Sequence, residues 1–382
     1  MIFEIILYLL LLASAILKAF AVSVVEYQEY ISYVITVISL YFIFKYAIRL
    51  AKDKLISYCL IYILLICISW FIHLFSFETD EFYIQLNAFL FPNLLISSYI
   101  FFLKYPQYFK YFKIIGIPLI IAAFWNVQRL SAFANEWTTT VTLQSNSGNL
   151  LVGLIPFCLL YKNRFIRYIL WAIIFIGVCL SIKRSAFVIF FLCFIFANIV
   201  GNEFLKKRKV LVVISLCLFV IAFLIVAPNI EIFSNLLERM NEVDEDHGSG
   251  RDALFLTSLK MCGDSNFIEM FFGNGYLSAS KDLEFYKFHV SSTHNDFTEI
   301  LYDGGLFSLI CFVLILKCLY NKTKFIFKSS YSDINYSTIT ACCLITIFIA
   351  NLLICSYVHF WYYLPLFCIY GGAIACAYKV RK

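Results

Sequence analysis

The chain has 382 residues, of which 62% are hydrophobic and only 14% are charged. A soluble globular protein usually carries about 25% charged residues, so this composition excludes an ordinary water-soluble domain. The formal net charge of +6 does not indicate nucleic-acid binding, because it is the sum of basic and acidic connections between apolar runs. We predict an all-α polytopic membrane protein.

The apolar runs approach about 20 residues, the length that a helix needs to cross a bilayer. We expect the first run to be a helix and not a cleaved signal, because it has no basic n-region. Together the runs predict about 12 spans, at residues 2–17, 30–48, 55–75, 82–103, 112–126, 148–161, 168–182, 185–200, 210–228, 297–316, 337–357 and 360–378.

The charged residues between these spans alternate in sign. One set of connections holds 21 of the 30 Lys and Arg residues and four acids, and the other holds nine basic and 20 acidic residues. Short basic connections stay in the cytoplasm, so we expect both termini to be cytoplasmic. The predicted parts are spans 1–9 in residues 1–228, an outer loop with short amphipathic helices in 229–296, and spans 10–12 in 297–382.

The 14 cysteines do not have the positions of a disulfide framework. Most lie inside apolar runs, where Cys behaves as a small hydrophobic residue. Only Cys262 lies in the polar loop, which excludes a disulfide within that loop, and no CxxC metal spacing occurs. We interpret the cysteines as packing residues.

The outer loop is the polar part of the chain, since 12 of its 24 carboxylates fall between Glu231 and Asp296. Ser249 and Asp252 form a capping-box pattern that places Arg251 in the first turn of a helix, and residues 253–261 predict an amphipathic helix on the membrane surface. A helix N-terminus favours anions, so Arg251 indicates phosphate binding. The alternative is that Arg251 pairs with a carboxylate in residues 244–246.

Lys183 and Arg184 lie at a tight outer turn between two spans. The planar fork of arginine suits a phosphate, so the pair indicates a fixed cationic site. Alternatively, both side chains snorkel to anionic headgroups.

His294 lies where the polar loop re-enters the membrane. Asp296, Glu299 and Asp303 follow at helical spacing and line one face of the tenth span, and ionisable residues inside a span usually mark a site. We therefore interpret His294 as functional. A metal site that uses His289, His294 and Asp296 is the alternative, but no metal-binding spacing supports it.

A second outer connection, residues 126–146, carries Arg129. With Trp125 and Trp137 it is a candidate wall of a sugar-binding cleft, because flat aromatic faces suit sugar rings. Aromatic residues also collect at membrane interfaces, which explains the tryptophans equally well.

Three motifs follow one another on the same predicted side of the membrane. They are Ser181-Ile182-Lys183-Arg184-Ser185-Ala186, then Ser249-Gly250-Arg251 with Gly273-Asn274-Gly275, and last His294-Asn295 with Gly304-Gly305-Leu306. Their order, and the long loop between the ninth and tenth spans, resemble the bacterial O-antigen polymerase and O-antigen ligase superfamily. The chain has Lys183 where that family often has Ser or Gly before the arginine.

The resemblance implies a metal-independent, lipid-linked glycosyltransferase of the bacterial inner membrane that faces the periplasm and needs no cofactor. Its donor and acceptor would be oligosaccharides on undecaprenyl diphosphate, and a chain-length regulator and a flippase would be its partners. Arg184 and Arg251 would stabilise the diphosphate leaving group, and His294 would act as general base. Lys183, Asn295, Asp296, Glu299 and Arg129 would contribute to substrate binding.

We favour a polymerase, which transfers the growing chain to a new repeat unit. A ligase, which transfers the finished chain to lipid A–core, has the same motifs. A lipid-linked sugar transporter would place charges in mid-span and show related halves, whereas the polar residues here concentrate at one face. A non-enzymatic assembly protein is the remaining alternative.

Overall fold

The computed structural model describes residues 1–20, 25–47, 50, 52–73, 82–133, 147–200, 251–283, 293–328, 336–353 and 360–380. All regular secondary structure in these ranges is helical. Six of the helices are long and apolar enough to cross a membrane, and further apolar helices are shorter. The predicted fold class, an all-α polytopic membrane protein, is confirmed.

The described helices are numbered here along the chain. In chain order they are α1 (Ile2–Phe20), α2 (Val25–Phe42), α3 (Lys54–Ile72), α4 (Phe82–Lys104), α5 (Phe112–Phe133), α6 (Ser147–Cys158), α7 (Arg164–Leu180), α8 (Arg184–Val200), α9 (Arg251–Asp264), α10 (Phe267–Phe272), α11 (Ser278–Leu283), α12 (Asp296–Lys328), α13 (Tyr336–Leu353) and α14 (Leu364–Val380).

Every predicted span other than the ninth overlaps a described helix. The ninth, 210–228, and the loop residues 231–250 lie outside the described residues. Helix α6 is interrupted by a turn at Leu154, just before Pro156 in the last helical turn, because proline cannot donate a backbone hydrogen bond. Helix α12 continues for 33 residues, beyond the predicted end at residue 316, since its lysines end the apolar run without ending the helix.

The chain divides into two compact units. The first comprises Met1–Phe109, Gly250–Ser329 and Ile347–Lys382, and the second comprises Lys110–Ser249 and Ser330–Thr346. In the first unit, α4 packs against α14 and α2, and α3 packs against α12. A Cβ atom on Gly371 would lie 2.5 Å from the Leu95 carbonyl oxygen, so α14 and α4 approach closely, as small residues allow in membrane bundles. In the second unit, α7 packs against α5 and α8.

The cysteines in the described ranges are all free, and most of them are buried. This agrees with their interpretation as packing residues.

Candidate active site

A network of hydrogen bonds around Asn295 fixes residues 293–298, where the outer loop joins the start of α12. The Asn295 side-chain oxygen accepts from the backbone N–H of Phe297 at 2.9 Å and caps α12. The hydroxyl of Thr293 donates to the Asn295 carbonyl oxygen at 2.9 Å, and the hydroxyl of Thr298 donates to the same carbonyl at 3.0 Å. His294, between these partners, has a backbone φ of 56°. Non-glycine residues rarely adopt this left-handed conformation, so its neighbours hold His294 in a defined orientation.

Glu299 reinforces this turn from within α12. Its side chain is fully buried, and one carboxylate oxygen accepts from the backbone N–H of Thr293 at 2.7 Å. Asp296, one turn earlier, is also fully buried. Buried carboxyl groups are costly unless they are hydrogen-bonded, and this hydrogen bond fixes Thr293, the residue that precedes His294.

Asp303 anchors the loop at a second point. It is buried, and its two carboxylate oxygens accept from the backbone N–H groups of Leu277 at 2.7 Å and of Ala279 at 2.9 Å. Both donors lie at the start of α11, whose N-terminal N–H groups have no partner within the helix. The third carboxylate of the predicted face therefore holds α11 against α12.

The Gly-Asn-Gly and Gly-Gly motifs form two sides of one contact, which we call the glycine clasp. It comprises Gly273-Asn274-Gly275 and Asp303-Gly304-Gly305. A Cβ on Gly273 would overlap the backbone of Asp303, and a Cβ on Gly305 would overlap the backbone of Phe271. Both glycines have positive φ, 83° and 75°, and Gly305 interrupts the helical geometry of α12. Only glycine meets both requirements without strain.

Hydrogen bonds complete the glycine clasp. The backbone N–H of Asn274 donates to the Tyr302 carbonyl oxygen, and that of Gly275 donates to the Asp303 carbonyl oxygen, both at 2.9 Å. His73, at the end of α3, places its Nε2 atom 2.8 Å from the Gly273 carbonyl oxygen. Since that oxygen can only accept, Nε2 is the donor. Helices α3 and α12 therefore both hold this part of the loop.

Helix α9 is described from Arg251 onward, and Ser249 of the predicted capping box lies outside the described residues. Leu254, Ser258 and Met261 are buried on one face, and the two apolar residues join a cluster that includes Tyr302 of α12. The predicted amphipathic helix thus has its buried face against the protein, and Arg251 lies at the start of an element that packs on α12.

A cavity of about 310 Å³ lies among α9, α10, α11 and α12. Three carboxylates, Asp264, Glu269 and Asp282, line it together with Ser265, Asn274, Tyr302 and Met261. The Tyr302 hydroxyl donates to Asp282 at 2.5 Å. Such a surface offers acceptors for hydroxyl groups and disfavours phosphates, because its charge is negative.

Cys262 is the cysteine that falls in this part of the loop. Burial raises the pKa of its thiol to about 11. Since the thiolate is the nucleophilic form, Cys262 stays protonated and acts as a packing residue.

The cationic turn between α7 and α8 belongs to the second unit. Ser181 ends α7 and is buried, and its hydroxyl donates to the Val178 carbonyl oxygen at 2.7 Å. Ile182 has a φ of 53°, which is unusual for a β-branched residue. Lys183 follows, and Arg184 is the first residue of α8. Of the positive-φ residues other than glycine in the described ranges, which are Ile182, Leu277 and His294, two therefore lie in the predicted motifs.

The predicted site residues fall into two groups. His294, Asn295, Asp296 and Glu299 lie together at the start of α12, and Arg251 begins a helix that packs against α12. Lys183, Arg184 and Arg129 belong to the second unit, where Arg129 is exposed near the end of α5. Within the described residues, no group of three or more His, Cys, Asp or Glu side chains is arranged to hold a metal ion.

The fold and these motifs define an integral membrane protein with several apolar helices. Residues 170–313 match the family model described as O-Antigen ligase. The matched range starts in α7 and ends in α12, and it includes all three motifs. The chain therefore carries an O-antigen ligase-like domain, and the resemblance to the O-antigen polymerase and ligase superfamily is confirmed. No curated protein matches the chain.

Sequence reasoning did not assign the anchoring roles of Asp303, Glu299 and His73. The glycine motifs were the signal from which the contact in the glycine clasp could have been predicted. Gly273-Asn274-Gly275 and Gly304-Gly305 lie about 30 residues apart, and glycine often marks a place where another backbone approaches closely.

Proposed function

We propose that the chain is a lipid-linked glycosyltransferase that polymerises a bacterial surface glycan. It would transfer the undecaprenyl-diphosphate-linked chain to the next lipid-linked repeat unit on the periplasmic face of the inner membrane. One observation carries the proposal: the 170–313 match contains the Lys183-Arg184 turn, Arg251 and His294. The strained backbone at Ile182 and His294 adds support, since strain of this kind concentrates at functional sites.

In the proposed reaction, His294 removes the proton from an acceptor hydroxyl as its oxygen attacks C1 of the donor sugar. The C1–O bond to the diphosphate breaks, the glycosidic bond forms, and undecaprenyl diphosphate leaves with the bonding electrons. Arg251 and Arg184 stabilise the charge that gathers on the diphosphate. A general base contributes on the order of 10²–10⁴-fold, so His294 carries much of the rate.

The hydrogen bonds at the loop return support positioning roles for Asn295 and Glu299. Asn295 caps α12, and Glu299 holds the N–H of Thr293, so both fix the backbone on either side of His294. Asp296 would bind the acceptor, and the acidic cavity lined by Asp282 and Tyr302 would accept sugar hydroxyls. Lys183 and Arg129 remain predicted substrate contacts.

The O-antigen ligase description of the matching family model favours a ligase as the second candidate. The two reactions differ in the acceptor, so we would supply purified protein in nanodiscs with lipid-linked repeat units, lipid A–core or both. Polymerase activity gives a ladder of products from the repeat units alone. A single transfer that requires lipid A–core would instead establish a ligase, and neither product would overturn both candidates.

The same assay tests metal independence. We expect full activity in EDTA, and an EDTA-sensitive reaction that a divalent ion restores would contradict that expectation.

The orientation of the chain is tested separately. Labels at positions 207 and 281 should report opposite sides of the membrane in intact cells, with Lys281 outside. Labelling of both from one side would contradict the periplasmic assignment.

A further inference from the structure

Helix α9 has exposed apolar side chains on a face other than the buried one. Phe255, Leu256 and Leu259 are 41%, 65% and 42% exposed, and their spacing places them on one side of the helix. Lys260 and Asp264, also exposed, are one helical turn apart and form a polar edge. The face with Leu254 and Met261 packs on the protein. The exposed apolar face therefore contacts something other than the rest of the described chain.

Helix α10 continues this surface. None of its six residues is buried, and Phe267, Ile268 and Met270 are 76%, 56% and 42% exposed. A contiguous apolar surface of this kind usually marks an interaction site. We call the exposed apolar side chains of α9 and α10 the apolar platform.

The apolar platform is continuous with the exposed side of a membrane span. The rings of Phe267 and Phe271 lie 4.8 Å apart, and those of Phe271 and Phe307 lie 5.1 Å apart. The Phe272 ring is 5.4 Å from Phe307. Phe307 begins a row of exposed apolar residues on α12, and the row continues through Ile310 and Val313. In a membrane span, such a row faces lipid acyl chains.

We propose that the apolar platform is embedded in the bilayer interface, at the level where Phe307 meets the lipid. Its occupant would be the acyl chains of the adjacent leaflet. Helices of 14 and six residues are too short to cross a bilayer, and the polar edge at Lys260 and Asp264 keeps α9 from deeper insertion. The loop therefore lies on the membrane, with its apolar side in lipid.

This placement deepens the proposed function and rests on it in one respect. Arg251 is the first residue of α9, so embedding α9 would hold Arg251 at headgroup depth. A lipid-linked diphosphate lies at the same depth, because the bilayer anchors its lipid.

The test measures depth directly in the full chain. A fluorescent amino acid would be incorporated by codon suppression at Leu256, Ile268 or, as the matched control, Asp264. Each protein would be placed in nanodiscs with and without brominated phospholipid, and iodide would be added as the aqueous quencher. We expect several-fold stronger lipid quenching at positions 256 and 268 than at 264, and the reverse order for iodide.

Equal iodide quenching at all three positions would overturn the proposal, because the apolar platform would then face water. Protection at 256 and 268 without lipid quenching would also overturn it and would indicate a second copy or another protein as the occupant. The readout needs no glycan substrate. Correct quenching without glycosyl transfer would therefore refute the proposed function alone, and transfer without lipid quenching would refute the platform alone.

Discussion

The two ends of helix α12 both hold buried ionisable side chains, but these side chains have different partners. At the start, Glu299 and Asp303 accept hydrogen bonds from backbone N–H groups of the loop. Near the other end, Lys322 donates to the Asp53 carboxylate at 2.9 Å and to the Tyr99 hydroxyl at 3.2 Å. The Tyr99 hydroxyl in turn donates to Asp53 at 2.7 Å.

The different donors give the two ends of α12 different roles, one in positioning the candidate site and one in stabilising the fold. Main-chain donors at the first end belong to the segment that carries His294 and the glycine clasp, so the carboxylates there fix the geometry of the candidate site. Side-chain donors at the second end join α3, α4 and α12, so they stabilise the bundle. We expect substitutions at the first end to change activity most, and substitutions at the second end to change stability most.

The largest effect is expected at His294. His294→Ala should reduce glycan transfer on the order of 10²–10⁴-fold, because it removes the proposed general base, while the thermal midpoint in detergent stays unchanged. Product ladders from membranes with matched protein levels provide the measurement. His247→Ala is the control and should leave the ladder unchanged. A stable His294→Ala protein with normal chain lengths would move the search for the base to Asp296.

Glycan transfer should require the planar guanidinium groups of Arg184 and Arg251 and not only their positive charge. Arg251→Lys and Arg184→Lys should each lose most polymer, by about tenfold or more, since one lost charged hydrogen bond costs about 1.5–3 kcal/mol. Arg164→Lys is the matched control, because Arg164 is exposed and begins α7 as Arg184 begins α8. Normal ladders from both site variants would favour the snorkelling alternative.

The glycine clasp should be sensitive to one methyl group. Gly305→Ala introduces a Cβ into the backbone of Phe271 at a positive φ, which should cost on the order of 1–3 kcal/mol. Thermal midpoint and activity should both fall. A Cβ at Gly263 would meet no atom within 4 Å, so Gly263→Ala should keep full activity. Equal behaviour of the two variants would contradict the close approach.

The contribution of the Asp53–Lys322 ion pair, near the end of α12, to the stability of the protein should depend on pH. Burial raises the pKa of Asp53, but the hydrogen bond and charge of Lys322 outweigh it and hold the pKa below its usual value. The ion pair therefore contributes fully above about pH 4, the unfolded value, and is lost as the pH falls through the lower folded value. The thermal midpoint should stay level from pH 7 to 5 and fall in more acidic buffer.

Lys322→Met tests the same pair by mutation. It should lower stability by roughly 1–3 kcal/mol, since it leaves the Asp53 carboxylate without its cation. It should also weaken the acid dependence, because the Tyr99 hydroxyl and the Leu55 backbone N–H still donate to Asp53. Activity per folded molecule should stay within about twofold, because this end of α12 makes no contact with the His294 turn. A large loss of activity at unchanged stability would erase the distinction between the two ends.

The sequence predicted the bundle well, because apolar runs between charged residues determine which segments form spans. It also placed Asp296, Glu299 and Asp303 on one helical face. Their partners were not predictable, since the Asp303 carboxylate accepts from residues 24 and 26 positions away. The Asp303 carbonyl oxygen also accepts from the Ser69 hydroxyl of α3, which is 234 positions away. Helical periodicity shows which residues share one face of a helix. It does not show which other segment of the chain packs against that face.

Helix α9 shows a second limit of sequence reasoning. The amphipathic pattern predicts a helix on the membrane surface. The structure divides its apolar residues between a protein-facing side with Leu254 and Met261 and an exposed side with Leu256. The spacing of apolar residues along a helix cannot show which of them face the protein and which face lipid, because both environments favour the same residue types.

The glycine clasp has a consequence for how this protein can diversify. Apart from the His73 side chain of α3, its contacts at Gly273 and Gly305 are made by backbone atoms, so they place little demand on the side chains of the surrounding loop. The residues that line the adjacent cavity, such as Asp264 and Asp282, can therefore change over generations without shifting His294. A protein built in this way can acquire new sugar preferences while its geometry at the loop return is inherited intact.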